Sequence, residues 1–156
     1  MNEFANLLKS LNLKFEDHKI LEQAFYHRSY LNEVKMDIES NERLEFLGDA
    51  VLSLCVSQYL FSLRQQDAEG DLTNLRAYIV KTKSLAQASK KLDLGNCLHL
   101  SKGEELGGGR ENPQLLANTY EALLGAIYLD QGLEVVQRVI KDSLLSLFKK
   151  EVFFRI

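Results

Sequence analysis

The sequence predicts an all-α fold. Apolar residues recur at three- and four-residue intervals along most of the chain, and no convincing run alternates apolar with polar residues as a half-buried strand would. The only proline, Pro113, stands where a helix would begin. No repeat and no Ser/Gly-rich linker divides the 156 residues, so they read as one domain, 1–156, around one core.

The elements follow in order. Residues 2–11 place Phe4, Leu7, Leu8 and Leu11 on one helical face. Residues 17–26 have Asp17 as an N-cap, then Ile20, Leu21, Ala24 and Phe25. Residues 40–65 form the longest helix, with Ser40 as its N-cap and an apolar stripe of Leu44, Leu47, Val51, Leu54 and Tyr59. Two shorter helices cover 72–80 and 83–92, the second stopping near Gly95. The polar segment SKGEELGGGRENP reads as a flexible surface loop. It has neither a preceding strand nor a GK[ST] ending, so it is no nucleotide-binding loop, and no nucleotide cofactor is expected. A helix over 113–130 stops before Gly132, and an amphipathic helix over 133–149 follows. The tail KKEVFFRI, 149–156, is the end of that helix or the start of a linker.

No run is read as long and apolar enough to cross a bilayer, and the N-terminus lacks the basic-then-apolar pattern of a leader. A cytoplasmic protein with no membrane association is expected. Cys55 and Cys97 form no CxxC or Cys/His cluster, which argues against a disulfide or a zinc site. The net charge of −3 runs against the basic excess usual in nucleic-acid-binding domains, unless the acids are concentrated where cations neutralise them.

They are concentrated. Glu42, Glu45 and Asp49 fall within an arc of roughly 60° on the 40–65 helix. No Lys or Arg lies one turn C-terminal to Glu45 or Asp49 to offset them. Gly48, a costly residue in a helix interior, points to close approach of another backbone or of a ligand. On the 113–130 helix, Asn118 and Glu121 share a face among Leu115, Leu116, Ala122, Leu123, Ala126 and Ile127. A lone carboxylate among apolar residues is costly unless paired or bound to a cation. The spacing is consistent with a solvated acidic face. It is also consistent with a site of oxygen ligands for Mg²⁺ or Mn²⁺, formed if the two helices pack side by side.

The stretch NERLEFLGDAV, Asn41–Val51, resembles the signature of the ribonuclease III family. Three further segments resemble that family in the same order: HRSY at His27–Tyr30, EGDLT followed by LRA from Glu69, and LSKGEELGGGRENPQLLANTYEALLGAIYLDQG. The resemblance covers residues 20–135. It implies an all-helical nuclease domain acting as a symmetric homodimer, in which each subunit cuts one strand of a double-stranded RNA by a two-metal mechanism with Mg²⁺, or with Mn²⁺ as its substitute. The products would carry 5′-phosphates and short 3′ overhangs, as in RNA precursor processing. By position, Glu45, Asp49, Asn118 and Glu121 would be metal ligands. Asp49, Glu121, Glu42 and Glu69 would be catalytic, and Phe46 would dock into the partner subunit. The family usually appends a basic RNA-binding domain, which this sequence does not contain.

One position departs from the pattern: Asn118 stands where the family usually has Asp. Either a neutral amide oxygen serves as ligand, or the change disables cleavage. In the second case the chain would be a non-catalytic or cleavage-impaired double-stranded-RNA-binding protein of the same fold.

Overall fold

The computed structural model describes residues 3–35, 37–148 and 150–153. Ten α-helices lie among them: α1 (Ala5–Leu11), α2 (His18–Gln23), α3 (Arg28–Val34), α4 (Glu42–Leu63), α5 (Glu69–Ile79), α6 (Thr82–Lys91), α7 (Lys102–Leu106), α8 (Pro113–Gln131), α9 (Leu133–Ser143) and α10 (Lys150–Phe153). The only β-pairing among the described residues is an isolated bridge between Tyr26 and His99. The fold is all-α, as the periodicity predicts.

The fold is organised by α4 and α8. From Ala122 to Ile127 every residue of α8 is buried, along with Leu116, Ala117 and Tyr120, so this helix is apolar nearly all round and forms the core. Helix α4 packs along it through Leu44, Val51, Leu52, Val56 and Leu60. The two backbones touch where they cross. A Cβ on Gly48 would overlap the Glu121 carbonyl oxygen, and one on Gly125 would overlap that of Leu44. Gly48 thus serves backbone approach, one of the two roles its position suggested. Helix α6 covers another side of α8, α9 flanks both α8 and α4, and α5 packs on α4.

Helix ends show local chemistry at work. Asp17 caps α2 by accepting the Lys19 and Ile20 N–H groups, and α2 stops at Gln23, where the chain turns into the Tyr26–His99 bridge. Ser40 is not the N-cap of α4: Asn41 occupies that position, and the Ser40 hydroxyl accepts the Glu42 N–H from one residue further back. Asn41 is instead buried, its Nδ2 donating to the Ala24 carbonyl. Helix α8 starts at Pro113 behind Asn112, which accepts the Gln114 and Leu115 N–H groups.

The structure corrects the sequence reading at several points. The HRSY segment is helical, with His27 capping α3 through Nδ1. The 72–80 helix begins earlier, at Glu69. The 133–149 helix ends at Ser143, and a 3-10 turn follows at Leu145–Leu147. There Ser143 and Ser146 donate to the carbonyls four residues back, a bond that competes with continued helix. The tail is only partly described: Lys150–Phe153 form a helical turn, while 149 and 154–156 lie outside the described residues.

The glycine-rich segment is not an unstructured loop. It holds α7 and a 3-10 turn at Gly109–Glu111, stapled by Arg110. Arg110 Nη1 donates to the carbonyls of Gly95 and Leu98, each at 2.8 Å, and Nε pairs with Glu105 at 2.7 Å. Helix α4 also meets the length and mean hydropathy of a membrane span, contrary to the reading above. Its first two turns, however, carry Glu42, Arg43, Glu45 and Asp49. The charge-free remainder, Ala50–Leu63, is shorter than the roughly 20 apolar residues a span needs. Both cysteines are free thiols, with Cys55 buried.

Candidate active site

The glycine crossing sets the geometry of the site. Because α4 and α8 approach to backbone contact at Gly48, the residues one turn either side of it meet their counterparts on α8. Glu42, Glu45 and Asp49 from α4 line one recess with Asn118 and Glu121 from α8, together with Phe46 and Gln114. The structure thus brings together every candidate ligand and all but one of the candidate catalytic residues. The exception is Glu69. It opens α5, is exposed, and does not line the recess of its own chain.

Electrostatics mark Glu121 and Glu45. Burial against α4, a hydrogen bond with Asp49, and the charges of Asp49 and Glu45 push the Glu121 carboxyl up to about 8. With its carboxyl raised this far, Glu121 holds its proton at neutral pH, which lessens its repulsion with Asp49 and Glu45. Burial, then Glu42 and Asp49, raise Glu45 as well. Glu42 is held at the rim: its carboxylate accepts from the Ser40 hydroxyl at 3.0 Å and lies 3.9 Å from the Arg28 guanidinium. That pair is exposed and contributes little.

Asn118 is oriented by a residue the sequence reading passed over. Gln114, one turn earlier on α8, donates from Nε2 to the Asn118 amide oxygen at 2.8 Å. A carbonyl oxygen has two lone pairs, so one remains for a ligand. The signal was available in the sequence, since Gln114 is four residues before Asn118.

The donor set fits a hard divalent cation in its chemistry: carboxylates and an amide oxygen, mutually repelling, with two of them already reluctant to ionise. It is not a finished cage. Among the described residues no three acidic, histidine or cysteine side chains converge tightly enough to hold an ion without rotation. The acids line a common wall.

Phe46 stands at the edge of this recess with 82% of its surface exposed. It heads an outer stripe of α4 that continues through Ala50, Leu54 and Phe61, the last 74% exposed. Away from the recess the charge reverses. From Leu72 to Leu92 the chain carries Arg76, Lys81, Lys83, Lys90 and Lys91 and no Asp or Glu. The acidic balance of the whole chain conceals this segregation, which the sequence reading missed by treating charge as a sum.

The family described as Ribonuclease-III-like matches residues 17–147. The chain is 48% identical over 151 residues to Ribonuclease 3 of Halalkalibacterium halodurans, covering 96% of this chain and 57% of that protein. It therefore spans a little over half the length of that relative. Among solved structures it is similar to the nuclease domain of ribonuclease III from Campylobacter jejuni, with a TM-score of 0.86 at 40% identity over 95% of this chain and 97% of that one. A second structure of that Campylobacter domain, noted for flexibility in the region involved in its dimer formation, aligns with a TM-score of 0.83 at 41% identity over 92% of this chain and 99% of that one.

Proposed function

The chain belongs to the ribonuclease III family, and on that premise we propose that it is the nuclease part of an endoribonuclease that hydrolyses double-stranded RNA, in the cytoplasm and in the processing of RNA precursors. The observation that carries this reading is the convergence of Glu42, Glu45 and Asp49 with Asn118 and Glu121 on one recess at the glycine crossing. Structural acids on a helix surface have no reason to be packed against one another. Acids that must receive a cation do.

Glu45, Asp49, Asn118 and Glu121 would hold Mg²⁺, or Mn²⁺ in its place. Two such ions, when bound, supply Lewis acidity to the attacking water and to the departing 3′-oxygen. The protein's own part is positional. The glycine crossing holds the backbones under Asp49 and Glu121 together, so that side-chain rotation alone would bring their carboxylates onto a common ion. Glu121 gives up its proton as cation charge enters the recess. Gln114 fixes the Asn118 amide. Glu42 at the rim, braced by Ser40, would be free to accept a proton from a water in the recess.

The exposed stripe of Phe46, Leu54 and Phe61 supports a symmetric homodimer built on α4. An apolar stripe of this kind on a helix flanking the recess is the surface a second copy would cover. Dimerisation would place two recesses on one face, suited to the two strands of a duplex read by shape and 2′-hydroxyls. Glu69, remote from its own recess, would then act at a dimer-level site.

The test is cleavage of a long RNA duplex by the purified chain with Mg²⁺, with Mn²⁺ and with a chelator, beside single-stranded RNA of the same sequence. Cleavage of the duplex alone, dependent on the metal and leaving 5′-phosphates and short 3′ overhangs, is expected. An intact duplex at high enzyme concentration with either metal sinks the catalytic reading. One observation favours a second reading: with a neutral residue at 118, the recess has one carboxylate fewer than the family pattern. Duplex binding without cleavage would establish the cleavage-impaired RNA-binding form.

A further inference from the structure

The recess does not end at the acids. A second lobe, of about 230 Å³, is lined by His27, Arg28, Asn41, Leu115 and Thr119 and shares Glu42, Glu45 and Asn118 with the first. His27 in this lobe is held in one tautomer. The Ser29 N–H donates to Nδ1 at 3.2 Å, and the Ser29 hydroxyl, which accepts the Ser101 N–H at 3.0 Å, lies 2.7 Å from the same nitrogen. Nδ1 is therefore the acceptor and the ring proton resides on Nε2. Nε2 has no hydrogen-bond partner among the described residues.

The backbone under His27 is rigid. Its N–H donates to the His99 carbonyl, and next door the Tyr26 carbonyl accepts the Asn41 N–H at 2.8 Å. A cation at this place would be drawn to the carboxylates, as Arg28 is drawn to Glu42. A neutral donor is not, and it stays available to an acceptor that enters the lobe.

We propose that His27 is a substrate-binding residue whose Nε2–H donates to an oxygen of the RNA backbone beside the phosphate at the acids. The inference rests on the duplex-RNA reading above. The acceptor is a phosphate oxygen or a 2′-hydroxyl, and the two are separable by substrate chemistry.

The variant that isolates the donor is His27→Asn. Asparagine is a favoured N-cap and keeps an acceptor for the Ser29 N–H, but it has no donor where Nε2 lies. His27→Gln is the complement, with a donor near the Nε2 position. Duplexes carrying a single 2′-deoxy or a single methylphosphonate substitution at each position around the cut are cleaved by wild type and both variants. Binding of the same duplexes is measured in Ca²⁺.

The expected result is about a tenfold or larger loss in kcat/KM and in affinity for H27N, with an unchanged melting temperature. At one substituted position wild type and H27Q lose activity while H27N loses no more. Whether that position is deoxy or methylphosphonate identifies the oxygen. Equal activity and affinity of wild type and H27N, or equal losses for both at every position, overturns the subsite and leaves the nuclease reading intact. A wild-type chain that neither binds nor cuts duplex RNA overturns both.

Discussion

The two long sides of α4 differ in what they touch. The inner side closes on α8 until backbone meets backbone at Gly48 and Gly125. The outer side carries Phe46, Leu54 and Phe61 in the open, more than half exposed. Both sides are apolar, and the charged residues of α4 are confined to its first two turns. A helix built this way is short of one partner within its own chain. Helices α8, α5 and α9 all pack on it, yet the stripe of Phe46, Leu54 and Phe61 stays uncovered. The acids sit along the seam between the two sides, where each neighbour in turn would help enclose them.

The inner side is the easier to break. Gly48→Ala would ordinarily gain about 1 kcal/mol of helix propensity. Here the new methyl overlaps the Glu121 carbonyl, and because that atom is backbone it has little room to yield. A net destabilisation of about 2 kcal/mol or more is expected in denaturant titration, with loss of cleavage. A stabilised G48A protein would show that the helices are not in backbone contact.

The outer side is expected to fail differently. Phe46→Asp leaves the chain folded but weakens self-association by about 30-fold or more, as for a buried aromatic anchor at an interface. Light scattering across a concentration series reads this directly. Unchanged association would remove α4 from the dimer contact.

Between the two sides, the acids respond to pH. In an unfolded chain Glu121 titrates near 4.5, and in the fold it is pushed up to about 8. The stability that comes from holding this proton is fully present below about pH 4.5 and is lost as pH rises through about 8. A divalent cation binds the ionised form and opposes that loss. The gain in melting temperature from added Mg²⁺ is therefore expected to grow with pH across this window, and a pH-independent gain would place the ion elsewhere. The smallest effect is expected from Asn118→Asp, which restores the missing charge. It should shift the Mg²⁺ titration of cleavage to lower concentration by severalfold, without changing the plateau greatly. An unmoved titration would mean that residue 118 does not ligate.

The same two sides explain what was legible in the sequence. Helix α8 was readable almost to the residue, because Asn112, Pro113 and Gly132 mark its ends with local chemistry. The acid set was readable because helical geometry fixes the spacing of Glu42, Glu45 and Asp49, and Gly48 announced a close neighbour. Helix α3 was not, since His27 is an uncommon cap and the short helix carries no buried apolar face. The staple at Arg110 and the break after Ser143 depend on partners distant in sequence or on side chains turned back on their own helix, and no local pattern encodes them. The full environment of Glu69 is likewise a matter of partners that lie outside its own recess.

Arg110 has a consequence for how the molecule opens. One guanidinium gathers the carbonyls of Gly95 and Leu98 and the carboxylate of Glu105, while the start of the Ser101–Glu111 segment is tied to α3 through the Ser29 hydroxyl and the Glu33 carboxylate. Behind it, Asn112 caps α8 with its side chain while its N–H donates to the Gly109 carbonyl. The segment thus links α3, the Gly95–Leu98 turn and the start of α8, and loosening it would reach the end of the helix that carries Asn118 and Glu121.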